Sequence, residues 1–129
     1  MFALANVLID IEPVMTYVLT GNPVHAYAHT YLGATLIAFF CTLCGRAICE
    51  RLLKLWNMQL DERQAVWLTV STHISPRVAL LSSLLGAWSH ILLDSFMHAD
   101  IRPWWPLSED NSLRSLVPVE YLHALCVMC

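Results

Sequence analysis

The segment Arg77-Val-Ala-Leu-Leu-Ser-Ser-Leu-Leu-Gly-Ala-Trp-Ser-His90-Ile-Leu-Leu-Asp94-Ser-Phe-Met97-His98-Ala-Asp100 decides what kind of protein this is. After Arg77 no charged side chain occurs until Asp94, and Val78–Met97 is close to the roughly twenty residues that cross a bilayer as a helix. Ser75-Pro76 just ahead of it is a helix start signal. Residues four apart on a helix lie one above another, so His90, Asp94 and His98 are expected to form one polar stripe over two turns. An aspartate at the centre of a bilayer costs roughly 2.5–3.5 kcal/mol on insertion scales, so such a stripe points to function. The plainer alternative is a His–Asp pair hydrogen-bonded to itself in a packed core.

Composition supports lipid as part of the solvent. The chain has 129 residues, 57% of them hydrophobic and only 13% charged, with a mean hydropathy of +0.56. Soluble domains run about 45–50% apolar and about 25% charged, and a chain this short has no core large enough to hide the excess. The net charge of −3 and the lack of a basic run argue against a nucleic-acid partner. Met1 is followed directly by apolar residues with no basic stretch, so no standard signal peptide is expected.

A second span is expected from Tyr31 to Cys49, closed on its polar side by Arg46, Glu50, Arg51 and Lys54. Phe2–Thr20 reads as two short pieces broken at Pro13, because only Phe2–Ile9 precede Asp10 and so short a stretch cannot cross a bilayer that needs about twenty residues. Thr20-Gly-Asn-Pro23 reads as a turn, and Val24–His29 as the start of a new helix. Leu55–Ser75 reads as an interfacial or re-entrant helix, with Trp56 and Trp67 at the headgroup level. Ile101–Ser115 reads as a surface loop in which Trp104, Trp105 and Pro106 anchor to the interface. Leu116–Cys129 begins a further apolar helix that stops short. The expected fold is all-α: one membrane-embedded helical bundle over residues 1–129, with a polar metal-site stripe at one membrane face.

Arg46, Arg51, Lys54, Arg63 and Arg77 cluster around the connection between the two spans, which the positive-inside rule places in the cytoplasm. His25 and His29 then share the outer membrane level with His90, Asp94 and His98. His25-x-x-x-His29 and His90-x-x-x-Asp94 each offer two ligands from one helical face, and neither is specific alone. Together with Asp10, Glu12, His98 and Asp100 they suggest a divalent-metal site. Nitrogen and carboxylate ligands without thiolate favour zinc, with manganese the alternative. A set of this size is large enough for two ions. A metal with an open position would lower the pKa of its water towards about 7 and polarise a phosphoryl or acyl oxygen. Asp100 or Glu12 would then serve as general base.

The other metal-competent residues are set aside. The five cysteines include two C-x-x-C pairs, Cys41/Cys44 and Cys126/Cys129. The first lies in an apolar helical run and the second ends the chain, so both read as small packing residues rather than a zinc knuckle. His73 lies on the cytoplasmic side and reads as non-catalytic, while His123 is a candidate extra ligand.

Phe2–Pro13, Val24-His-Ala-Tyr-Ala-His-Thr-Tyr-Leu-Gly33, and His90-Ile-Leu-Leu-Asp94 followed by Arg102-Pro-Trp-Trp-Pro106 resemble the YdjM-like family of membrane-bound, metal-dependent hydrolases. That family is associated with the bacterial inner membrane and is distantly similar to zinc-dependent phospholipase C, sharing an H-x-x-x-D helix. The resemblance covers most of the chain. It implies that Asp10, His25, His29, His90 and Asp94 are metal positions, with His98 and Asp100 nearby. Such families begin with a further helix bearing an early His, and none precedes His25 here, which suggests a chain shortened at its N-terminus; the stop at Cys129 suggests the same at the other end. The resulting expectation is a metal-dependent hydrolase acting on a phosphoester or lipid-like substrate in the bilayer. The alternatives are a non-enzymatic membrane protein that binds or conducts metal ions or protons, and a structural fragment with internally paired His and Asp.

Overall fold

The computed structural model describes residues 1–22, 24–114, 116–118 and 121. These residues contain no strand and form α1 (Phe2–Thr20), α2 (Tyr31–Phe40), α3 (Arg46–Met58), α4 (Glu62–Leu68) and α5 (Pro76–Met97). A π-helical turn, Cys41–Gly45, joins α2 to α3 without a break, so Tyr31–Met58 runs for 28 residues. α1, this composite helix and α5 are each long and apolar enough to cross a membrane.

α5 begins where the sequence marks it. The Ser75 hydroxyl accepts the Val78 N–H, and Pro76 occupies the first turn, where its missing N–H costs nothing. Its inward stripe is small: Ala79, Ser83, Gly86, Ala87, Ile91 and Ser95 are buried. It meets Ala5 and Ile9 of α1 and Ala34 and Ala38 of α2, with Cys41 of the π turn. Small side chains at the seam let helix backbones approach closely, which is how helices associate in lipid, where burial of large apolar groups gives no advantage. A Cβ on Gly86 would stand 2.7 Å from the Phe2 carbonyl oxygen, so glycine there sets the approach of α1 to α5. The large apolar side chains point the other way: Val7, Val18, Leu36, Leu43, Leu81 and Leu85 are all exposed.

α1 and α5 run in the same direction, with Phe2 beside Gly86 and Asp10 beside His90. The composite helix runs against them, and the Trp88 indole N–H donates to the Thr35 hydroxyl at 3.0 Å. The start of α2, the end of α5 and the middle of α1 therefore meet at one end of the bundle. At the other end, α4 folds back on α3 through hydrogen bonds from Trp56 to the Leu68 carbonyl and between Asn57 and Val70.

Four expectations are corrected. α1 is one helix with Pro13 inside it, not two pieces, and it meets the length that a span requires. Proline removes one backbone hydrogen bond, but Ala5 and Ile9 pack before it and Glu12 is gripped by the following loop, so helix continues on both sides. Val24–His29 is not helical: the chain stays irregular until Thr30 caps α2. His98 is not on α5 but is the residue that ends it, with φ −110° and ψ 133°. Leu55–Ser75 is not one re-entrant helix, because α3 continues to Met58 and the seven-residue α4, closed by an Asp61–Gln64 capping box, follows separately. Most of Leu116–Cys129, including His123, Cys126 and Cys129, lies outside the described residues.

Candidate metal centre

Two side chains hold the loop between α1 and α2 in place. The Thr30 hydroxyl accepts the Gly33 N–H and donates to the Tyr27 carbonyl, both at 2.9 Å. A Cβ on Gly33 would collide with that carbonyl, so glycine is what lets the loop lie on the first turn of α2. From α1, Glu12 accepts the N–H of Tyr27 at 2.9 Å and those of Ala26 and Ala28 at 3.0 Å. Its Oε2 also lies 3.4 Å from His29 Nδ1. A carboxylate can only accept, so the closer contact with Glu12 favours the tautomer that carries the proton on Nδ1 and leaves a lone pair on Nε2.

That lone pair points into the bundle. His29 is fully buried, its Nε2 stands 3.6 Å from Asp94 Oδ2 and 3.8 Å from Asp10 Oδ1, and it has no hydrogen-bond partner. Burial, and then the neighbouring His25, push this imidazole below its ordinary range against the pull of Glu12 and Asp94, keeping it neutral. His90, one turn before Asp94, has its Nε2 3.0 Å from Asp94 Oδ2 and 3.1 Å from Asp10 Oδ1. These distances suit hydrogen bonds, yet His90 Nε2 is also an atom without a partner, because neither oxygen lies in line with a ring N–H. Asp10, His29, His90 and Asp94 thus each present one ligand atom, all within 4.8 Å of one another.

A second group, His25, His98 and Asp100, adjoins the first and meets the same distance limit. Asp100 Oδ2 accepts both the backbone N–H of His25 at 3.1 Å and its ring Nδ1 at 2.9 Å. Burial alone would raise the Asp100 carboxyl, but the hydrogen bonds from His25 outweigh it and hold the group below its ordinary range. The imidazoles form a row, with centroids 4.5 Å apart from His98 to His25, 4.5 Å from His25 to His29 and 5.6 Å from His29 to His90.

A cavity of about 380 Å³ opens on this second group, lined by His25, Tyr27, Asp100, Arg102 and Trp105. A groove of about 460 Å³ adjoins it across Trp105 and is bounded by Tyr31, Leu32, Trp104 and Leu107. Trp104 and Trp105 pack on Tyr31 and Tyr27, with centroids 4.8 and 5.1 Å apart. The Pro103 carbonyl accepts the Tyr31 N–H at 2.9 Å and ties this loop to α2.

Asp10, Glu12, His25, His29, His90, Asp94, His98 and Asp100 therefore all gather at one end of the bundle. His73 lies apart, 3.5 Å from Glu50 and largely exposed. Cys41 is buried in the core while Cys44 is exposed, and both are free thiols. Sequence reasoning quoted Arg102 within a motif but gave it no role, although a lone cation two residues after a candidate carboxylate is a signal, and it passed over Thr30, whose N-cap chemistry marks where the loop ends and α2 begins.

The fold defines an all-α membrane protein, and the site gives it a histidine–carboxylate cluster at one end of the helical bundle. Residues 4–114 match the model of a family described as a domain of unknown function, DUF4184, and the chain belongs to that family. No curated protein and no solved structure matches it.

Proposed function

We propose that the protein is a membrane-bound, metal-dependent hydrolase acting on a phosphoester or lipid-like substrate. One observation carries this reading: the buried His29 Nε2, with its proton favoured on the other ring nitrogen, directs a lone pair at two carboxylate oxygens and has no donor to meet. Such an arrangement is repulsive unless a metal ion or a second imidazole proton lies between the groups, and burial disfavours the proton. The donors are nitrogen and carboxylate oxygen, which fits zinc and then manganese. Asp10, His29, His90 and Asp94 would hold the ion. When bound, it would acidify a water and polarise a phosphoryl or acyl oxygen.

The chain's own residues supply the remaining functions. Glu12 favours the tautomer and sets the orientation of His29, as outer carboxylates do for metal-binding imidazoles. Arg102, shared with Glu109 at 3.5 Å, brings a cation to the cavity wall for an anionic group. Tyr27 and Trp105 form an aromatic wall, and the groove beyond Trp105 offers room for an apolar tail. Asp100 stands where a substrate in the cavity would meet it. The resemblance to YdjM-like hydrolases supports the same class, and with it the bacterial inner membrane. The basic residues around the α3–α5 connection favour a cavity on the non-cytoplasmic side.

Conduction of ions or protons is the weaker reading. Away from the cluster the interhelical space is filled by Ala5, Ile9, Ala34, Ala38, Ala87 and Ile91, which do not carry ions. The test is hydrolysis of p-nitrophenyl phosphomonoesters, phosphodiesters and acyl esters by detergent-purified protein. Activity removed by a chelator, restored by zinc or manganese and lost in Asp94→Asn is expected. Metal binding with no hydrolysis of any of the three would overturn the enzymatic reading.

A further inference from the structure

The first four ligands account for only half of the polar cluster. His25, His98 and Asp100 make a second, adjoining set whose ligand atoms lie within 4.8 Å of one another. We propose that this set is a second divalent-cation site, so that the protein binds two ions side by side and the second one faces the cavity. The inference rests on the metal-centre reading above and extends it.

Geometry is the first support. The chain leaves α5 at His98, whose backbone N–H still donates to the Asp94 carbonyl at 2.8 Å. The turn is pinned by Asn111, which donates to the Ser95 carbonyl at 2.8 Å and the His98 carbonyl at 3.4 Å. His98 and Asp100 are thereby delivered next to Asp94 on a braced segment. Two contacts aim His25 at this set: its bond to Asp100 and the tilted approach of the His98 ring, 33° between planes. Among the described residues the His98 ring makes no hydrogen bond. The edge-on contact of His25 with His29 makes the two sets neighbours, each contributing one imidazole to their shared boundary.

Charge is the second support. Asp10, Glu12, Asp94 and Asp100 bring four carboxylates into one partly buried region. The nearest cation at the cavity wall is Arg102, already shared with Glu109. Asp94 and Glu12 are largely shielded from water while Asp10 and Asp100 are about half exposed, and one divalent ion would balance two of the four negative charges where two ions would balance all of them.

The third support is the contrast between the sets. The first has four protein ligands, among them the fully buried His29, and so holds its ion more firmly. The second has three and borders the cavity, leaving a position open for substrate or water. Asp100 becomes a ligand in this arrangement rather than a general base.

The experiment is metal stoichiometry by elemental mass spectrometry on detergent-purified protein loaded with zinc or manganese and freed of loosely bound ion. The wild type is expected to hold two ions, and His98→Ala and Asp100→Asn one each. Electron paramagnetic resonance of the manganese form should show a coupled pair in the wild type and an isolated ion in His98→Ala. Circular dichroism and gel filtration check that each variant is folded, and His98→Ala stands in if Asp100→Asn is not. One ion in the wild type, unaffected by His98→Ala and lost in Asp94→Asn, would overturn the second site and leave the first intact. Two ions that persist in both His98→Ala and Asp100→Asn would also overturn it, by placing the second ion elsewhere. No ion in the wild type would overturn both readings together.

Discussion

Glu12 is the residue whose removal tests the architecture of the site most directly. Its carboxylate accepts three backbone N–H groups of the loop, at 2.9–3.0 Å, and orients His29. In Glu12→Ala all three donors lose their acceptor. A hydrogen bond contributes about 0.5–1.5 kcal/mol net, and more to a charged acceptor. The Glu12 side chain is 20% exposed, so water replaces part of the loss. Taking about 1 kcal/mol for each of the three bonds gives roughly 3 kcal/mol, which at about 1.4 kcal/mol per decade is about a hundredfold loss of the closed loop. Hydrogen exchange on metal-free protein in detergent reads this without reference to any activity. The amides of Ala26, Tyr27 and Ala28 should exchange about a hundredfold faster in Glu12→Ala, and about tenfold faster in Glu12→Gln, which keeps one acceptor oxygen. Zinc affinity, measured by competition with a chromophoric chelator, should fall in the same order. Unchanged protection of those three amides in a folded Glu12→Ala protein would refute the reasoning.

Other perturbations address separate parts of the structure. Asp94→Asn removes a carboxylate facing both His29 and His90, and should lower zinc affinity by at least tenfold while leaving the helical circular dichroism unchanged; retained affinity would take Asp94 out of the centre. Gly33→Ala places a methyl against the Tyr27 carbonyl and should cost about 1–3 kcal/mol, read as a lower Tm in detergent, whereas Gly21→Ala has open space around its Cβ and is strained only by its positive φ. Burial holds the His29 imidazole below 6.5, so the unfolded chain binds the extra proton first as pH falls. His29 should therefore take stability away from the metal-free protein as pH drops below about 6.5, so that the wild type falls relative to His29→Gln over that range; identical pH profiles would remove His29 as the cause. A single cysteine at Asp61, in a background lacking the native thiols, should react with impermeant reagent only from the cytoplasmic side, and one at Leu107 only from the other.

The parts of this molecule that were legible in the sequence are those set by local chemistry. Ser75-Pro76 and the uninterrupted apolar run after Arg77 mark α5 almost to the residue. Charge counting across the connection brought the two pairs of candidate ligands to one level, and the structure places them at one end of the bundle. What escaped is set by distant partners. Pro13 reads locally as a breaker, yet Glu12 beside it is held by backbone donors fourteen to sixteen residues away, and α1 stays whole. The spacing of His25 and His29 imitates one face of a helix. Their actual relation is set by Glu12, Thr30 and Gly33, and i,i+4 spacing carries no information about those.

The position of Glu12 also orders events in time. Asp10, Glu12, His25 and His29 are synthesised before His90, Asp94, His98 and Asp100, so the ligand sphere is made in two instalments. Glu12 reaches its loop partners within sixteen residues of chain, so this latch between α1 and the loop before α2 needs no residue of α5. α5 docks its small-residue face against α1 and α2, carrying the remaining ligands to the centre. On the proposed metal reading, capture of the ion would be a late event that reports completed insertion, and a nascent protein stalled before α5 would display Asp10, Glu12, His25 and His29 without the His90, Asp94, His98 and Asp100 that complete them.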